Sequence, residues 1–231
     1  MNKAVLSDKY PQFSERLHDL RYSIIPDERV KCFLLYEQDH ADMQCLILDD
    51  TAFVLACCKQ LADALSKNYH VVLCGDNISG TYPENVGLNA IVLGNRLICR
   101  VPSLDSKVKE YCINHGYELI HVNQGYAKCS CAVVSDNAII TADNGIYHSL
   151  RELNIDVLKI EEGGVRLEGA SCGFIGGAGG YDSNSRTLYF CGNIRLHPDY
   201  DKISPFCEQH GTKLVSLTED VLTDIGGILF C

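Results

Sequence analysis

Chemistry in this chain would have to come from its 13 cysteines, its 8 histidines and its carboxylates. A thiolate is both a nucleophile and a metal ligand, yet no C-x-x-C occurs. Neither Cys57-Cys58 nor Cys129-Ser130-Cys131 has a histidine at the spacing of a structural zinc site. No metal and no cofactor are expected, and most thiols read as small buried hydrophobes. His121, three residues before Gln124-Gly125, is a candidate proton carrier because imidazole titrates near neutrality. Glycine is densest over residues 161–180, where backbone can approach a ligand closely, and Glu168 and Asp182 beside it could pair with a cation. Residues 181–185 read as a turn rather than a helix start, so Gly176-Gly177-Ala178-Gly179-Gly180 is not expected to be a dinucleotide or phosphate loop. Asp224, ahead of Ile225-Gly226-Gly227, suits either an Asx turn or a ligand contact.

These residues need a frame, and composition bounds it. The 231 residues are 46% hydrophobic and 22% charged, which supports a stable core and excludes disorder. With 20 basic against 30 acidic residues the formal charge is −10, so nucleic acid is not an expected partner. Residues 1–10 show no apolar signal core, and no run of 18 apolar residues occurs, so a cytoplasmic protein without a membrane span is expected. The cysteine count also fits a reducing compartment.

The elements repeat. Residues 90–93 and 96–101 form an expected hairpin across Gly94-Asn95, followed by a helix over 103–115, Gly116 and a strand over 118–122. The order recurs with a hairpin of 131–134 and 138–141, a helix over 146–153 and a strand over 157–160. It recurs again with strands at 173–175 and 187–191, a helix over 200–210, Gly211 and a strand over 213–217. Glycine after His115 and His210 suits a left-handed helix end, and Pro102-Ser103 and Pro198-Asp199 suit helix starts. Upstream the pattern blurs: a helix over 52–66 capped at Asp50-Thr51, a strand over 70–74, a helix over 14–21 and a strand over 31–36 are expected. Five units of about 46 residues would fill the chain. No linker divides it, so one domain over 1–231 is expected, with clear units at about 80–123, 124–169 and 170–231. Such units must pack on one another to bury their apolar faces, and ligands collect where units converge.

This order, with the ending Thr223-Asp224-Ile225-Gly226-Gly227-Ile228-Leu229-Phe230-Cys231, resembles the pentein fold of the guanidine-group-modifying superfamily, which includes arginine and agmatine deiminases, dimethylarginine hydrolases and amidinotransferases, along with a non-catalytic ribosome anti-association factor. The resemblance implies an α+β fold, an α/β propeller of pseudo-symmetric ββαβ units around a central pore. It implies a thiolate nucleophile, a histidine acid/base and carboxylates for a guanidinium. Cys231 falls at the nucleophile's place, Tyr126 at the histidine's, with Lys128 two residues on, and Asn89 at a carboxylate's. Asn89 cannot offset a guanidinium charge, Tyr126 is a poor base near neutrality, and a carboxylate at Cys231 would raise its thiol pKa. Two functions follow. One is an altered amidinohydrolase using Cys231 with Tyr126 or His121, its substrate held by Asn89, Lys128, Glu168, Asp182 and Asp224. The other is a non-catalytic pentein binding a small guanidino or amino-acid-like molecule, or a protein partner, at the pore.

Overall fold

A computed structural model describes residues 2–75 and 78–231. One local arrangement organises it: a first strand pairs antiparallel with a second, the chain crosses over through a helix, and a third strand returns parallel to the second. The parallel return requires a crossover, and a helix with one apolar stripe covers the sheet while making it. β3 (Cys45–Leu48), β4 (Thr51–Leu55), helix α3 (Lys59–Leu65) and β5 (His70–Cys74) make one such unit. β6 (Ile91–Leu93), β7 (Arg96–Cys99), α4 (Ser106–His115) and β8 (Glu118–His121) make the next. β9 (Cys131–Ser135), β10 (Ala138–Thr141), α6 (Asn144–Arg151) and β11 (Asp156–Lys159) follow. Then come β13 (Gly179–Asp182), β14 (Thr187–Phe190), α7 (Tyr200–Gln209) and β15 (Lys213–Ser216).

The fifth sheet joins the two ends of the chain. β17 (Leu229–Phe230) pairs antiparallel with β1 (Lys3–Leu6), α1 (Pro11–Asp19) crosses over, and β2 (Ser23–Pro26) runs parallel to β1. A short parallel pair, β12 (Val165–Arg166) with β16 (Leu222–Thr223), and the one-turn helices α2 (Ala41–Gln44) and α5 (Ala127–Ser130) complete the set. First strands of neighbouring sheets lie against one another, β6 on β9, β9 on β13 and β13 on β17.

Each crossover helix buries a pair at i, i+4: Phe13 and Leu17, Leu61 and Leu65, Val108 and Cys112, Ile146 and Leu150, Ile203 and Cys207. Asp105 and Asp143 cap α4 and α6 by accepting from Lys107 N at 2.9 Å and Ile146 N at 2.8 Å. Ser103, the expected cap, lies instead in a 3-10 turn. Gly116 takes the left-handed conformation at φ 74°, as its position after the helix suggested.

Three expectations, two upstream and one in the last unit, differ from what forms. Residues 52–66 are not one helix: Ala52–Leu55 belong to β4, buried on both faces between β3 and β5, and such a strand is apolar at every position, which hides its period. Residues 31–36 are turns, and the strands of that region are β1 and β2. Residues 173–175 form no strand either; the hairpin begins at Gly179. Among the described residues no helix is long and apolar enough to cross a membrane.

Candidate functional site

The segments that lead into the first strands carry the polar side chains. α2 precedes β3, Asn85 and Asn89 precede β6, α5 precedes β9, Gly173–Ala178 (residues 173–178) precede β13, and Asp224 with Gly226-Gly227 precedes β17. They converge on a buried cluster in which Asp42 is 1% exposed, Asn89 1%, Asp224 1%, Cys129 2% and His40 6%. Asn89 is its hub: Oδ1 accepts from Lys128 N at 2.8 Å, and Nδ2 donates to Asp42 O at 3.2 Å and to Cys129 Sγ at 3.1 Å. The Cys129 thiol in turn donates to Asp42 Oδ2 at 3.1 Å. Asp224 accepts from Phe174 N at 2.9 Å and Gly226 N at 3.0 Å, and Lys128 Nζ donates to Gly176 O at 3.0 Å. Glycine is required where these segments touch. A Cβ on Gly177 would lie 2.0 Å from Asp224 Oδ1, and one on Gly226, at φ 76°, would lie 2.3 Å from His40 Cα.

Burial pushes the Asp42 carboxyl up to about 6, against the pull of Lys128 and His40. It also pushes the Cys129 thiol well above its usual range, with Asp42 and Asp224 adding to the shift. Cys129 is therefore a protonated donor, not a thiolate.

A second polar group lies around Tyr126. Its hydroxyl donates to Glu37 Oε1 at 2.9 Å, while Asn85 Nδ2 donates to Glu37 Oε2 at 3.1 Å and to the phenol oxygen at 3.2 Å. Burial, and to a lesser extent the Glu37 carboxylate, holds the phenol protonated. Its ring stacks between Tyr82 and Phe174 with centroids 5.5 and 6.3 Å away.

A cavity of about 390 Å³ is lined by first strands of all five sheets, through Leu46, Val92, Ala132, Gly180 and Leu229 among others. Asp42, Lys128 and Gly176 lie where the strands begin. Asp49, Asp136 and Ser183 lie where the hairpins turn. An ammonium thus stands at one end and exposed carboxylates at the other.

Of the residues singled out from sequence, Asn89, Lys128 and Asp224 meet at the cluster, and Tyr126 lies at Glu37. Cys231 does not join them: its backbone N donates to Lys3 O at 2.9 Å, and its thiol faces Tyr69, pushed up to about 11 by burial. His121 is exposed, its Nδ1 accepting from Val101 N at 3.3 Å. Glu168 is exposed and paired with Lys9 at 3.1 Å, so it does not line the cavity as expected. Asp182 does not line it either. Strand alternation turns Tyr181 to the cavity and Asp182 away from it, where the carboxylate accepts from Tyr22 Oη, Asn184 N and Ser185 Oγ. His40, Asp42, Cys129, Glu37 and Asn85 are the residues that sequence reasoning missed. The available signal was position, since Asp42, Asn89 and Cys129 all fall two or three residues before a first strand.

The model of a family of unknown function, DUF6873, matches residues 5–229. A search of curated proteins by sequence finds no match. Among solved structures, a dimethylarginine dimethylaminohydrolase adduct with S-methyl-L-thiocitrulline aligns at a TM-score of 0.56 and 8% identity, covering 93% of this chain and 91% of that one. The enzyme from Pseudomonas aeruginosa in complex with citrulline aligns at 0.55 and 9%, covering 100% and 98%. Agmatine deiminase from C. jejuni aligns at 0.52 and 11%, covering 94% and 86%. Full-length coverage at such low identity is a likeness of fold, and it matches the succession of small three-stranded sheets. The chain belongs to the family DUF6873 and is related in fold to the penteins.

Proposed function

We propose that the five sheets close a single propeller-like ring over residues 1–231, with the cavity on its axis, and that this cavity binds a small guanidino or amino-acid-like molecule without turning it over. The observation that carries the reading is the cavity's polarity. Lys128 at the inner end has donors to spare for a carboxylate, and Asp49 and Asp136 at the outer end suit a guanidinium or ammonium. Its size falls within the range of about 300–1,000 Å³ typical of small-molecule sites. The neighbours holding citrulline and S-methyl-L-thiocitrulline support the same ligand class. Against turnover stand the protonated Cys129, the high pKa and separate place of Cys231, and the engagement of Tyr126 with Glu37. Thirteen cysteines, none joined in a disulfide, support a reducing compartment such as the cytoplasm.

Calorimetry with arginine, agmatine, citrulline and methylated arginines, run beside an assay for citrulline-type product, tests this. Saturable binding of at least one compound, abolished by the cavity-filling Val133→Phe and unaffected by Cys231→Ser, is expected, with no product. Failure of every compound to bind would refute the ligand class. Product that disappears with Cys231→Ser would replace binding by thiol hydrolysis.

A further inference from the structure

The Asp42 carboxylate holds an anomaly. Its Oδ2 accepts from the Cys129 thiol, but Oδ1 is sealed from solvent and has no hydrogen-bond partner. A buried carboxylate oxygen left unpaired is costly, and a molecule in the cavity cannot reach an atom with no accessible surface. A small ion inserted between side chains can. Around this carboxylate stand three ligand types: one ligand atom each of His40, Asp42 and Cys129 lie within 4.8 Å of one another, and all three residues are buried. We propose that His40, Asp42 and Cys129 form a binding site for a borderline transition-metal ion of the zinc class.

The chemistry of the donors selects that class. One imidazole, one carboxylate and one thiolate suit zinc or cobalt in tetrahedral geometry and suit neither calcium nor magnesium, which take all-oxygen shells. Ligand bonds of about 2.0–2.3 Å set tetrahedral edges of about 3.3–3.8 Å, so atoms up to 4.8 Å apart close by at most about 1.5 Å, while the 3.1 Å Cys129–Asp42 pair opens slightly. Charge also balances. Asp42, Asp224 and an ionised Cys129 are negative and Lys128 is positive, so a divalent ion makes the surroundings neutral. On binding, the Cys129 S–H bond breaks, sulfur gives its pair to the metal, and the proton leaves to solvent. Affinity therefore rises with pH. The site is already held in place: Asp42 N donates to Gly226 O at 3.0 Å, and the bare Gly226 backbone packs on His40. Nothing in the spacing of these residues discloses the site, because Cys129 comes 87 positions after Asp42.

The test uses the full chain under reducing conditions, first stripped by chelator and then titrated with Zn²⁺ or Co²⁺. One equivalent should bind, and the cobalt form should show tetrahedral d–d bands with a single thiolate-to-cobalt charge-transfer band. Cys129→Ser should remove that band, and Cys129→Ser, His40→Ala or Asp42→Asn should each weaken binding by more than about tenfold, the scale already seen for outer-shell partners. Cys57→Ser, at the exposed neighbour of Cys58, should change neither. X-ray absorption on the wild-type zinc form, which needs no variant to fold, should find one sulfur among nitrogen and oxygen ligands. No binding of either ion, binding that survives Cys129→Ser, or two sulfurs in the shell would each overturn the proposal. No organic ligand enters these measurements, so their outcome is separate from that of the cavity's occupant.

Discussion

Asp42 offers a quantitative test of how the cluster is held. The unfolded carboxyl titrates near 3.8 and the folded one near 6, so between those values the folded chain keeps a proton the unfolded chain has released. Stability from this group is therefore fully present below pH 3.8 and is lost as pH rises through 6. The shift of about 2 units corresponds to about 3 kcal/mol of stability forgone at neutral pH. Asp42→Asn keeps an oxygen to accept the Cys129 S–H and cannot ionise. Its constant effects on packing and hydrogen bonding do not depend on pH, whereas the ionisation term does. In urea unfolding with chelator present, the stability of Asp42→Asn relative to wild type should rise by about 2.5 kcal/mol between pH 4 and pH 7.5. A difference that stays flat across this range, or moves the other way, would show that Asp42 is not a desolvated carboxylate and would remove the electrostatic account of the cluster.

Two further perturbations address the surrounding frame. Gly177→Ala places a methyl 2.0 Å from Asp224 Oδ1 and must displace a carboxylate that accepts from two backbone N–H groups. A loss of about 3 kcal/mol in denaturant unfolding is expected, and a loss under about 1 kcal/mol would mean the Gly177 contact is not tight. Tyr126→Phe removes the hydroxyl that serves Glu37 and should cost about 1–3 kcal/mol while leaving ligand binding in the cavity unchanged, which paired unfolding and calorimetry would check.

Much of this molecule is legible in its residues because much of it is local. Hairpin turns at Gly94-Asn95 and Asp136-Asn137, helices with apolar pairs at i, i+4, and glycines after His115 and His210 all act within one unit, so the hairpins, crossover helices and return strands between residues 90 and 160, and α7 with β14 and β15, follow from pattern alone, whereas β13 does not. The acidic charge and the family resemblance are likewise properties of the linear chain. Pairings between distant residues are not. Ala4 opposite Phe230 completes the fifth sheet from both ends, and no pattern within residues 1–40 reveals that its partner strand lies past residue 228. The candidate site depends on the same kind of distant contact. Asp224 was visible as a residue type at a turn, and Asn89 and Lys128 through the family resemblance, but Asp42 and Cys129 gain their chemistry only when segments 87 positions apart are pressed together out of water. Desolvation shifts their proton affinities and leaves one oxygen unpaired, and desolvation belongs to the packed fold, not to any residue in isolation.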